Sequence, residues 1–329
     1  MAHEVETMFY AGRTPWHELG QYVGEENLTS SEAIVAAGLD WRVEKHPLFI
    51  HDHRGSDTVD GGYRKIEDRV ALVRDSDGEY FGTASSDFGV VQNQEAFSFM
   101  DGLVHQGQMK YHTAGSLRGG RRIWILGQID GSFEPVKGDQ VDPFIFLING
   151  HDGSMALRAM PTAVRVVCAN TARAAIDTDG AKGVSIRHTS SIHNRMHLAA
   201  NVLANAHTEI LEYQNFMKQL AAYKFDSELV ANFVKSLIPN GLDAQGLTRM
   251  TPTPLVTSQR EKLEQLFDGG IGQDIVGVHG TGWGMYNALT EFSNYHYGRI
   301  AQDRRFESVM TGNDDLISKG TRLLANMIA

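Results

Sequence analysis

The chain has 329 residues, 42% of them hydrophobic, with a mean hydropathy of −0.28, a net charge of −10 and one cysteine. These totals fit a globular protein with one large or two modest cores. They exclude an internal disulfide framework, and no apolar run reaches the roughly 18 residues that a membrane-spanning helix needs. The opening residues, MAHEVETMFYAGRTPWHELG, lack the basic-then-apolar order of a secretory signal, so a cytoplasmic location without membrane contact is expected. The acidic balance argues against indiscriminate binding to phosphate backbones. The charge is uneven, however: from Lys110 to Arg195 there are 11 Lys+Arg against 7 Asp+Glu.

Residues 2–20 read as an extended arm broken by Gly12 and Pro15, with Trp16 and His17 as its bulky groups. Such an arm is expected to pack across a groove of the body or onto a neighbouring subunit. Thr29-Ser30-Ser31-Glu32 has the form of a capped helix start, and the helix should stop at Gly38. HPLFIH, from His46, reads as a strand. Alternation puts His51 and His53 on one face, but no third ligand accompanies them, and a solvated loop rim is the simpler reading. Tyr63 to Phe81 reads as a hairpin turning at Asp75-Ser76-Asp77-Gly78. DSDG also opens like a calcium loop, but the twelfth position is Ser86 where a Glu is required, so no calcium site is expected. Asn93 should cap a helix whose Phe97, Met100, Leu103 and Val104 face the core.

Two strands, Met109–Thr113 and Ile123–Gln128, flank Arg118-Gly119-Gly120-Arg121-Arg122. Gly-Gly between strands is hairpin chemistry. Three arginines at such a turn suit phosphate oxygens, and Tyr111 or Trp124 offers a ring for base stacking. The centre of the chain is DPFIFLINGHDGSMALRAMPTAVRVVCANT, from Asp142 to Thr171. FIFLI suits a buried strand, Asn149–Gly153 a turn, and Ser154–Ala159 a returning strand. Pro161 should interrupt, and Asn170 or Thr171 should cap a helix over Ala172–Ile176. Asn149, His151, Asp152, Arg165, Cys168 and Asn170 form either a polar site or merely a hairpin and a strand-to-helix turn. A lone cysteine is too few for a zinc site of the thiolate type.

The NGHDGS turn and the VRVVCANT strand end resemble the phage/plasmid-like protein family, known as domain of unknown function 932. So do the segments ETMFYAGRTPWHELG with AGLDW, FGVVQNQEAFSFMDGL, and TGWGMYNALTEFSNYH. The resemblance spans nearly the whole chain. It implies a mobile-element setting and supplies no catalytic residues.

After Gly183 the pattern turns helical. Ile192, Met196, Ala199, Leu203, Ala206, Ile210, Tyr213, Met217 and Leu220 recur at spacings of four and three. The spacing predicts one helix of about 35 residues, on the order of 50 Å long, with a stripe that seams either a bundle or an oligomer. His193 and His197 are four apart, but the Glu base of a zinc protease does not lie between them. Ser227–Leu237 is a second helix, and Ser258–Phe267 a third after a proline-rich loop. GGIGQD, from Gly269, lacks the spacing of a nucleotide-binding loop. Trp283, Tyr286 and Leu289 lie on one helix face, and a last helix runs over 315–328.

The expected fold is α+β: a mainly antiparallel sheet with helices over 1–183, then a helical region over 184–329 built on the long helix. No cofactor and no metal are expected, and no catalytic set emerges, so an enzyme is the less favoured class. The favoured function is a phage- or plasmid-encoded DNA-metabolism protein that binds or anneals single-stranded DNA as a homo-oligomer. Arg118, Arg121, Arg122 and Arg165 would meet phosphates, with Trp124 and Tyr111 stacking. The second reading is a non-enzymatic structural or interaction protein acting on a host protein. A hydrolase using His151, Asp152 and Cys168 comes third.

Overall fold

The structure is a computed structural model that describes residues 5–12, 20–24, 27–51, 62–105, 109–165, 170–173, 183–203, 206–242, 246–297 and 315–329. It is α+β with a mainly antiparallel sheet. Two compact units form along the chain. One comprises 1–129, 145–160 and 183–205, and the other 130–144, 161–182 and 206–329. The division expected near residue 183 is therefore one of several crossings.

The larger sheet has the order β10-β9-β8-β7-β6-β1-β2, with β11 also paired to β9. Its strands are β1 (Val5–Tyr10), β2 (Gln21–Tyr22), β6 (Met109–Leu117), β7 (Arg122–Ile129), β8 (Val141–Gly150), β9 (Leu157–Arg165), β10 (Asn170–Arg173) and β11 (Val184–Ile186). The N-terminal segment is not a loose arm: β1 lies inside the sheet, antiparallel to β6, with Phe9 opposite Ala114. Val5, Met8 and Phe9 are buried, and that burial draws the segment in. Pro15, Trp16 and His17 lie outside the described residues.

Two expectations for the centre fail. Pro161 does not interrupt β9. It falls between the β11 pairing, which ends at Ala159, and the β10 pairing, which begins at Thr162, where a missing N–H costs least. Asn170 and Thr171 start no helix, because residues 170–173 pair with β9 as a strand. Cys168 lies outside the described residues.

The smaller sheet, β3-β4-β5, uses Val43–His51, Tyr63–Arg74 and Tyr80–Ser85. α1 (Ser30–Ala36) begins with the expected capping box of Thr29 and Glu32. α2 (Asn93–His105) does not use Asn93 as its cap, because that side chain is buried in other bonds.

Of the expected long helix the described parts are α3 (Ile192–Leu203) and α4 (Ala206–Ala222), assigned to different units, and residues 204 and 205 between them lie outside the described residues. Ile192 and Met196 are buried, and Ile210, Tyr213, Met217 and Leu220 are buried in the second unit, so these stripe positions serve intramolecular cores. The second unit adds α5 (Ser227–Leu237), α6 (Pro254–Gly269), α7 (Gly282–Tyr295) and α8 (Asp315–Ile328). α6 starts before the expected Ser258, with Thr253 as cap and Pro254 at the first helical position, where proline is favoured. α7 is buried along nearly its whole length, and Trp283 Nε1 donates to Asp139 Oδ2 at 2.7 Å. Gly282 permits this packing, since a Cβ there would meet the Leu220 backbone at 3.1 Å.

Candidate nucleic-acid interface

The arginine turn joins β6 to β7, with Leu117 opposite Arg122. Arg118, Gly119 and Gly120 all have positive φ, as a tight connection demands. Gly120 also lies against its neighbours: a Cβ there would come within 2.8 Å of Arg74 Nη1. The three arginines are gathered at this turn, but two of them turn inward. Arg121 donates to Phe81 O, Arg118 O, Tyr80 O and Glu79 Oε1, at 2.8–3.2 Å, and so staples the turn to β5. Arg122 is 7% exposed and donates to Ser154 Oγ at 3.2 Å. Arg118 is partly exposed.

Neither expected stacking ring is accessible. Trp124 is buried opposite Gly115, where a Cβ would strike its ring at 2.5 Å. Tyr111 is buried, and its hydroxyl donates to Phe97 O and to Asp101 Oδ1 at 2.8 Å. Burial, then the Asp101 carboxylate, push that phenol's pKa far up, so it stays neutral. The Arg165 side chain is outside the description.

The NGHDGS turn is a structural knot. His151 is 1% exposed, with Trp41 edge-on at 5.3 Å and Phe81 stacked at 6.1 Å. Asn93 Nδ2 donates to Leu39 O and Trp41 O, which leaves its Oδ1 to accept from His151 Nε2–H at 2.8 Å. Burial, and the neighbouring His188, lower the His151 pKa to about 3, so the ring is neutral. Asp152 Oδ1 accepts from Ser154 N and Oγ within its own turn. His188 donates from Nδ1 to Gly89 O and stacks on Phe88 at 4.7 Å. The His151 imidazole is thus sealed and neutral, and the Asp152 carboxylate is occupied within its own turn. Among the described residues, no group of three His, Cys, Asp or Glu side chains is placed to hold a metal.

The exposed chemistry lies on the hairpin of β3 and β4. Its inner half is three-stranded, because β5 pairs with Arg69–Val73. It is fixed at its root by Arg74, which pairs with Glu6 and Asp77 and sits 5.3 Å from the Trp41 ring centre. The register breaks between Pro47, opposite Val70, and Leu48, opposite Ile66. Proline has no N–H to continue the ladder, so a break is natural there.

Beyond the break the described residues form two strands, and both faces of this ribbon are largely exposed. Phe49 pairs with Lys65 and His51 with Tyr63, which puts all four on one face. Phe49 is 45% and Tyr63 48% exposed, and the His51 and Tyr63 rings meet edge-on at 5.1 Å. Lys65 Nζ contacts Glu67 at 2.9 Å. The other face carries Leu48, Ile50, Arg64 and Ile66. Sequence reading missed this surface because adjacent Phe49 and Ile50 look like a buried strand. The only hint was that apolar residues fall on both faces beside a proline.

The chain matches the family described as Domain of unknown function (DUF932) over residues 80–316. The chain belongs to that family. The matched residues begin at Tyr80, so ETMFYAGRTPWHELG, AGLDW and the β3–β4 ribbon precede them, while the arginine turn and the His151 knot lie within. No curated protein and no solved structure matches the chain. Among the described residues, no helix is long and apolar enough to cross a membrane.

Proposed function

We propose that the protein acts in DNA metabolism by binding single-stranded DNA, and that the outer β3–β4 ribbon is the surface that does so. The observation that carries this reading is the exposed face of Phe49, His51, Tyr63 and Lys65. Single-strand binders combine rings for bases with cations for the backbone. The described outer ribbon, residues 47–51 and 63–66, contains Arg64 and Lys65 and no carboxylate. This replaces the arginine turn as the contact surface, since Arg121 and Arg122 are held by protein groups. Competition between labelled single-stranded and duplex DNA of one sequence tests it. Preference for the single strand is expected, and equal or stronger duplex binding would sink the reading.

A protein partner is the second reading, favoured by the loop after α5. Arg249 donates to Leu242 O, and Arg260 and Arg249 O hold Asn240, so the described residues on both sides of 243–245 are tied down. Even so, they expose Leu242, Leu247 and Met250, the last at 98%.

A further inference from the structure

The geometry points to base stacking on Phe49 and Tyr63, not phosphate pairing, as the interaction that holds the strand on the ribbon. This rests on the single-strand reading above and makes it specific: the ligand is an unpaired strand with its bases separated. Phe49 and Tyr63 are diagonal neighbours across the two strands, because Phe49 lies opposite Lys65, two residues from Tyr63. Diagonal side chains on one face are about 7 Å apart. His51 follows Phe49 on the same face, also at about 7 Å. Bases in a duplex rise by about 3.4 Å. A base inside a duplex already has both faces covered by its neighbours, so exposed rings spaced along this face can take only bases that a single strand leaves unstacked.

The charges on this face agree. Among the described residues Lys65 is the single Lys or Arg on it and is shared with Glu67, so little phosphate neutralisation is available from them. Arg64 points to the opposite face with Ile50. Affinity must then come mostly from ring surface that the fold leaves exposed. Both rings lie outside the cores, so removing them leaves the fold intact.

The test compares an oligothymidylate of about 20 nucleotides with an abasic deoxyribose-phosphate strand of equal length, at about 50 mM salt, by fluorescence anisotropy. Wild type should bind the base-bearing strand about tenfold more tightly or better, and the combined Phe49→Ala and Tyr63→Ala variant should lose that gap. Phe49→Trp should retain binding, and its fluorescence should be quenched by thymidylate and not by the abasic strand. Circular dichroism and thermal melting confirm that each variant is folded. Equal binding of the two strands overturns stacking while leaving the single-strand reading standing. A gap that survives in the double alanine variant overturns the assignment to this face. If neither strand binds wild type, the single-strand reading falls and stacking falls with it.

Discussion

At the scale of single residues, Asn93 and His151 show how a polar pair can specify a core. Asn93 bonds two backbone carbonyls and His151, and His151 N donates to Arg121 O. Asn93→Ala would strand three buried partners, at about 1–3 kcal/mol for each group left unsatisfied. We expect a loss of about 3 kcal/mol or more in urea unfolding with an unchanged denaturant slope. His151 also makes stability pH-dependent. Its folded pKa is about 3, whereas the unfolded ring titrates near its ordinary 6.5. Between those values the unfolded state binds the extra proton, so stability falls as pH drops below about 6.5. One such proton is worth about 1.4 kcal/mol per pH unit, or about 2 kcal/mol between pH 6.5 and 5. His188 is shifted the same way by burial and adds to the trend. His151→Gln should be less stable at pH 7.5 yet lose stability less steeply on acidification, as urea titrations at several pH values would show. A slope identical to wild type would contradict the burial argument.

At the scale of elements, the ribbon separates binding from folding. Its inner half shares the Leu72 and Phe81 core and the Arg74 pairs, while its outer half is two strands with little buried surface. Isolated two-stranded hairpins are marginal in water. Replacing residues 48–66 with a short Asn-Gly turn should therefore change unfolding stability by no more than about 1 kcal/mol. A cooperative loss of structure in that variant, seen by circular dichroism, would show that the outer half is part of the core. Elements were legible in the sequence where their signals were local: Thr29 and Glu32 marked the start of α1, Asp75–Gly78 the β4–β5 turn, and Gly119-Gly120 the β6–β7 turn. Those signals depend on a few adjacent residues. The insertion of β1 beside β6 was not legible, because it pairs Phe9 with Ala114 across the chain and depends on packing. Asn93 misled for a related reason. A capping residue and a buried amide look alike until the partners are known, and here the partners are Leu39, Trp41 and His151. The arginine turn was placed correctly as a hairpin, but composition could not show that Glu79 and Ser154 would hold two of its three guanidinium groups.

At the scale of the whole molecule, a net charge of −10 limits how any polyanion can be held. On the stacking face Lys65 is the described cation, so about one phosphate should be neutralised there, giving a salt slope of about −0.7 for a single strand. That is far shallower than a basic groove would give. Stacking, which salt screens little, then supplies most of the affinity. The measurement that tests this most directly is a titration of labelled oligothymidylate, across a salt series, with wild type and with the chain shortened at 48–66. We predict that wild type binds with a shallow salt slope and that the shortened chain, still folded, loses binding about tenfold or more. Unchanged affinity in the shortened chain would contradict the account and place the nucleic-acid surface elsewhere on the molecule.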